Sequence, residues 1–333
     1  MNKVLITVKE ENSNNAGPKA TNDIIKFLSQ NESYKIATLN FNLNSKFMKL
    51  FYYYFVIPRF FKRLEADVII LQYPAYSEYL MTKIMKSIKK NTKSKLYLII
   101  HDIETLRLYK NRPDYVANEM VWLKQADGLV VHNSAMRNWL ANYGVTNMTE
   151  LNLFDYDNPQ KLNQNFSYDK SVCFAGNLEK AEFLTKLSSN NRVDVFGPNP
   201  AQQYLDGINY KGQFTPDELP KHMLENFGLV WDGSELDTCN GIFGEYMRYN
   251  SPHKVSLYLS TGIPVIIWKE AALAKFIVEN KLGIAIDNLN NLDTILNEIT
   301  IDEFRKMKNN ATSIAKKLRH GDFIKYALSE LDK

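Results

Sequence analysis

Short, continuous apolar runs alternate along the chain with longer stretches of helical periodicity. Val4–Val8, Val68–Gln72, Leu96–Ile100 and Gly128–Val131 are mainly apolar and bounded by polar or turn residues. That pattern predicts parallel strands buried on both faces. Helical spacing is found between them at Ala20–Ser29, Lys46–Leu64, Tyr79–Lys90, Tyr115–Gln125 and Ser134–Asn142. After the polar segment Asp155–Lys170 the pattern starts again, with strands expected at Val172–Ala175, Val193–Phe196, Gly228–Trp231, Pro264–Trp268 and Ile284–Ile286. Helices are expected at Ala181–Leu187, Pro216–Leu224, Pro252–Ser260, Ala271–Glu279 and Asn291–Glu298, followed by a charged helical stretch over Ile301–Leu331. Repeated strand–helix units imply an α/β fold with two doubly wound, Rossmann-like sheets. The expected domains are 1–154 and 155–315, with 316–333 forming a helix that returns to the first. Two such domains facing each other would leave a cleft at the carboxyl ends of their strands, the usual ligand position in this architecture.

Candidate chemistry therefore belongs just after the strands. After the first lies Asn14-Asn15-Ala16-Gly17-Pro18, where Gly17 would let backbone approach an anionic ligand at a helix N-terminus. The loop is neither GxGxxG nor a P-loop, and a plain turn explains it equally well. After Leu96–Ile100 come His101 and Asp102, either of which could take a proton from an acceptor hydroxyl. The alternative is a structural histidine beside a helix-capping aspartate. In the second half, Gly176, Asn177 and Lys180 after a strand make a plausible diphosphate cradle. Asn250-Ser251-Pro252-His253-Lys254 precedes a helix, so Asn250 or Ser251 is expected to cap it and Lys254 to add a full charge beside its amide groups. The Tyr210 ring, near Lys211 and Gly212, is suited to a nucleobase, or simply to packing.

Composition narrows the partners. Across 333 residues, 41 Lys plus Arg against 37 Asp plus Glu leave a charge of +4. That is too mild for a nucleic-acid binder. Cys173 and Cys239 form no CxxC pair and no disulfide framework, which fits a reducing compartment without a structural zinc. The N-terminus reads as a strand rather than a signal peptide, and no apolar stretch is long enough to span a bilayer. A cytoplasmic protein is expected. The aromatic run Phe51–Phe61, flanked by Lys46, Lys49, Arg59, Lys62 and Arg63, has two readings: a helix packed inside the domain, or weak contact with an anionic membrane surface.

The two α/β halves and the element NSPHKVSLYLSTGIPVII resemble GT-B glycosyltransferases. FAGNLEKAEFL and LIIHDIETLR are similar to the glucosyltransferase-3-like group, which extends O-linked N-acetylglucosamine (GlcNAc) on bacterial serine-rich repeat adhesins. The resemblance implies a hexose transferred from UDP-glucose or UDP-GlcNAc to a GlcNAc-modified serine-rich repeat protein. No metal and no cofactor beyond the donor are expected. Gly17, Gly176, Asn177, Lys180, Tyr210, Asn250, Ser251 and Lys254 would hold the UDP-sugar. The polar segment Glu104–Asn118, with Arg107, Lys110 and Arg112, is expected to be an exposed, mobile loop that grips the acceptor. A homo-oligomer, dimer or tetramer, is expected. Two glutamates with seven residues between them mark many retaining GT-B enzymes; the corresponding positions here are Tyr249 and Leu257, so the stereochemical outcome stays open. The rival readings are a non-hydrolysing nucleotide-sugar epimerase and a non-catalytic partner that binds the adhesin for another transferase.

Overall fold

A computed structural model describes residues 1–10, 18–41, 46–75 and 77–333. The chain divides into two compact units, Met1–Leu151 with Ile324–Lys333, and Asn152–Phe323. The boundaries fall after 151 and 323, against the sequence expectation of 154 and 315.

Among its described residues, the first unit contains strands β1 (Lys3–Glu10), β2 (Tyr34–Phe41), β3 (Val68–Tyr73), β4 (Lys95–Ile100), β5 (Gly128–Val131) and β6 (Met148–Glu150). They pair in parallel in the order β2-β1-β3-β4-β5-β6. Every residue of β3 is buried, as expected for a central strand covered on both faces. The chain's last helix, Asp322–Leu331, completes this unit: the Tyr97 hydroxyl donates to the Leu331 carbonyl at 2.8 Å, and Lys3 pairs with Asp332.

The second unit has β7 (Val172–Ala175), β8 (Val193–Phe196), β9 (Ile208–Gly212), β10 (Phe227–Val230), β11 (Val265–Trp268) and β12 (Gly283–Ile286), all parallel in the order β12-β11-β10-β7-β8-β9. Its core includes the fully buried Phe174, Phe227, Trp231, Tyr258, Trp268 and Phe304. The helix Ile301–His320 starts on a capping box, in which Thr300 and Glu303 each satisfy the other's backbone amide. It ends at Gly321, whose φ of 74° is a left-handed stop.

Several expectations need correction. Ile301–Leu331 is two helices broken at that glycine, not one. Ala181–Leu187 forms only a short 3-10 turn, Glu182–Thr185, and Pro216–Leu224 only the helix Leu219–His222. Lys46–Leu64 is not a single core helix either. It runs as a helix over Lys46–Phe51, a π-helical turn over Tyr52–Val56 and a second helix over Ile57–Arg63. Only Ile57 and Phe61 of that second helix are buried, while Phe47, Leu50, Phe51, Tyr54 and Phe55 are exposed.

Candidate functional site

In the second unit the helix His253–Ser260 packs across β7 and β10, which are neighbours in the sheet. Tyr258 anchors it. The tyrosine hydroxyl accepts from the Ala175 amide at 2.8 Å and donates to the Leu229 carbonyl at 3.2 Å. Gly228 makes room for the ring, since a Cβ there would stand 2.2 Å from it.

One turn earlier, Lys254 reaches the carboxyl edge of the sheet. Its ammonium donates to the Trp231 carbonyl and to Asp232 Oδ2, both at 3.2 Å, and lies 4.5 Å from the centre of the Phe174 ring. A Cβ on Gly176 would be 4.0 Å from that ammonium, so Gly176 and Lys254 do come together. Aromatic ring, carboxylate and carbonyl fix a cation where the backbone after β7 turns.

The neighbouring turns are closely fitted. Gly197, after β8, has φ of 143°, and a Cβ there would strike the Gly176 carbonyl at 1.8 Å, so only glycine fits. Asn177 Oδ1 accepts from the Glu179 amide at 3.2 Å and from Asn199 Nδ2 at 3.1 Å. The Asn177 side-chain oxygen thus caps its own 3-10 turn. Lys180 rests over the Phe243 ring, 3.9 Å from its centre, on the helix Gly241–Tyr246. That helix abuts the loop after β10, because a Cβ on Gly244 would lie 3.1 Å from the Asp232 carbonyl.

Asn250 and Ser251 do not cap the helix as expected; Pro252 is its N-cap residue, without a side-chain bond. Asn250 Oδ1 is instead a buried acceptor with no hydrogen-bond donor, and Ser251 is buried. An orphaned acceptor just before a helix start fits a site that takes a hydroxyl or amide from a ligand. Tyr210 lies on the edge strand β9, with its ring exposed and its hydroxyl donating to the Gly197 carbonyl at 3.1 Å. Gly17 lies outside the described residues.

In the first unit, His101 and His132 follow the adjacent strands β4 and β5. His101 Nε2 pairs with Gln72 Oε1 at 2.8 Å, and His132 Nε2 with the Ile100 carbonyl at 3.1 Å. Burial lowers their pKa values to about 4 and about 3, so both are neutral at pH 7. A histidine so acidic in its protonated form is a poor general base there. Asp102 caps no helix; its carboxylate pairs with Arg107 Nη1 at 2.9 Å.

The acceptor loop is also corrected. Ile103, Glu104 and Thr105 are buried, and from Pro113 the chain is helical to Lys124. Glu119 holds the turn, accepting from the Tyr73 hydroxyl at 2.7 Å and from the amides of Glu104 at 3.1 Å and Thr105 at 2.8 Å. Arg107 also pairs with Glu104, Arg112 pairs with Glu78 and Asp114, and Lys110 is exposed. Sequence reading missed Asp232, Phe243 and Tyr258. Asp232 carried a usable signal, a carboxylate just beyond a buried strand.

Two doubly wound parallel sheets in succession are the GT-B arrangement. The fold matches a solved trehalose-6-phosphate structure from E. coli bound with UDP-2-fluoro glucose, with a TM-score of 0.61 at 11% identity over 99% of each chain. Residues 2–152 match the glucosyltransferase 3-like N-terminal domain and residues 172–331 the glucosyltransferase 3-like C-terminal domain, so the chain belongs to that family. It is 31% identical to the β-1,6-galactofuranosyltransferase WbbI of Escherichia coli (strain K12), over 80% of this chain and 79% of that one. It is 28% identical to glucosyltransferase 3 of Streptococcus gordonii, over 79% and 78%.

Proposed function

We propose that this glycosyltransferase moves a hexose from a UDP-sugar to a hydroxyl of an acceptor sugar, with the donor diphosphate bound beside Lys254. The observation that carries this reading is the Lys254 ammonium, held next to Gly176 at the carboxyl edge of β7 and β10. When UDP departs, negative charge grows on the leaving phosphate oxygen. A cation already fixed in a partly buried setting stabilises that charge without reorganising. Asp232 restrains the ammonium before the donor arrives, and amide groups at the start of His253–Ser260 add their dipoles. Lys180 is the second cation of this reading, Asn177 and Asn250 position the UDP moiety, and Asp102 is the acceptor-side base.

The acceptor of this reading is O-linked GlcNAc on a serine-rich repeat protein, and UDP-glucose or UDP-GlcNAc is the donor. The E. coli relative is named for galactofuranose transfer, so a donor screen includes that sugar. The screen uses GlcNAc-modified serine-rich repeat protein, with mass spectrometry reading the mass gained. A hexose or N-acetylhexosamine increment supports the proposal. UDP-sugar interconversion without acceptor would establish the epimerase instead, and the absence of UDP binding would leave an adhesin-binding partner. Because lysines and amide groups meet the phosphate charge, transfer survives excess EDTA. Loss with EDTA and rescue by manganese or magnesium would overturn that part.

A further inference from the structure

We infer that the aromatic, basic surface of residues 47–63 in the first unit is a docking surface for an anionic lipid bilayer. Phe47 is 85% exposed, Tyr54 60%, Phe55 58% and Phe51 51%. Leaving several large apolar side chains together in water is unfavourable, and contiguous patches of this kind mark interaction sites. The rings of Phe51 and Phe55 lie 5.7 Å apart, and with Phe60 they line one shallow groove. The basic groups are on the same surface, since Arg59 and Arg63 line that groove too.

Charge selects the partner. Between Lys46 and Leu64 there are five basic residues and no acidic one. Lys49, Arg59, Lys62 and Arg63 are exposed and make no ion pair among the described residues. Their charge is thus uncommitted, unlike that of Arg107 and Arg112. Next to them Tyr53 stacks on Tyr79 at 4.1 Å, and Lys83 lies 4.4 Å from the Tyr53 ring centre, which extends the aromatic and cationic character onto the helix Glu78–Asn91. Tyrosines and long basic side chains are suited to the headgroup layer, where ring bodies sink and charged ends stay wet. Phe47 stands almost wholly in solvent and needs no shaped socket to enter an acyl layer. A protein partner would have to supply one.

The test uses the full chain and flotation with phosphatidylcholine vesicles, with and without phosphatidylglycerol. The protein is expected to float only with phosphatidylglycerol present. The combined substitution Phe47→Ser, Phe51→Ser and Phe55→Ser is expected to lower partitioning at least tenfold, with an unchanged melting profile because these side chains are exposed. Arg59→Gln and Lys62→Gln are each expected to lower it roughly fivefold, the value of one charge near an anionic leaflet. Absence of flotation, or flotation indifferent to the phenylalanine substitutions, would overturn the inference. Light scattering that shows an oligomer dissociated by those substitutions, without vesicle binding, would overturn it too and assign the surface to a second copy of the chain.

Discussion

Lys254 precedes Tyr258 by one helical turn, and their partners, Trp231 just past the end of β10 and Leu229 within it, are two residues apart. Four helical residues rise about 6 Å and two strand residues about 6.6 Å, so the helix and strand run in step. They run in opposite directions, so the tyrosine grips the strand's middle while the lysine extends past its carboxyl end. The position of the ammonium is therefore set through a buried hydroxyl. Tyr258→Phe removes that hydroxyl and leaves the Ala175 amide buried without an acceptor. The expected cost is about 1–3 kcal/mol of stability, read from urea unfolding, together with weaker UDP binding. An unchanged unfolding midpoint would show that the bond anchors nothing.

Lys254→Ala is expected to weaken UDP binding by roughly ten- to a hundredfold, the usual value of a charge-assisted contact to phosphate. Isothermal titration on folded variants checks it. Lys180→Ala is expected to act in the same direction, losing an ammonium whose position rests on Phe243. Unchanged affinity in either variant removes that lysine from the site.

The central strands were legible because burial on both faces leaves unbroken apolar runs such as VIIL in β3 and PVIIW at β11. The unread strands β2, β6 and β9 are all sheet edges. An edge strand is wetted along one side, and YKIATLNF, MTE and INYKG accordingly mix polar with apolar positions. The pairing of Gly176 with Lys254 was foreshadowed by turn and helix-start residues. What sequence could not show is which side-chain oxygens are consumed locally. Asn177 bonds its own turn, while Asn250 keeps an acceptor without a donor, although both read as polar residues in glycine-rich or proline-rich turns.

Two groups of residues give acid sensitivity of opposite sign. His101 and His132 have folded pKa values of about 4 and about 3, below the ordinary 6.5. Between those values and 6.5 the unfolded chain binds more protons, so their contribution makes stability rise with pH and level off above about 6.5. Burial and the neighbouring Asp194 push Glu225 up to about 7 from 4.5. There the folded state binds the extra proton, and stability falls as pH rises from 4.5 towards 7. Substitution separates the two. His132→Asn should flatten the rising part of the stability–pH curve relative to wild type, and Glu225→Gln should flatten the falling part. A wild-type slope retained in both variants would contradict the assignment.

The turn after β4 depends on one buried carboxylate. Glu119 is fully buried, which pushes its pKa up, while the Tyr73 hydroxyl and the amides of Glu104 and Thr105 favour its charged form. Glu119→Gln sets an amide donor against one of these donors, at an expected cost of about 1–3 kcal/mol. The turn carries Arg107, which holds the Asp102 carboxylate. If Asp102 is the acceptor-side base, loosening the turn lowers the turnover rate of the folded variant and shifts the pH dependence of transfer, as loss of base positioning would. UDP affinity is expected to stay at the wild-type value, because Lys254 and Gly176 belong to the other unit. Turnover with an unaltered rate and pH profile would remove Asp102 from the proposed mechanism. A parallel loss of UDP affinity would mean that Glu119 supports the whole chain, and the turn's acceptor-side role would be withdrawn.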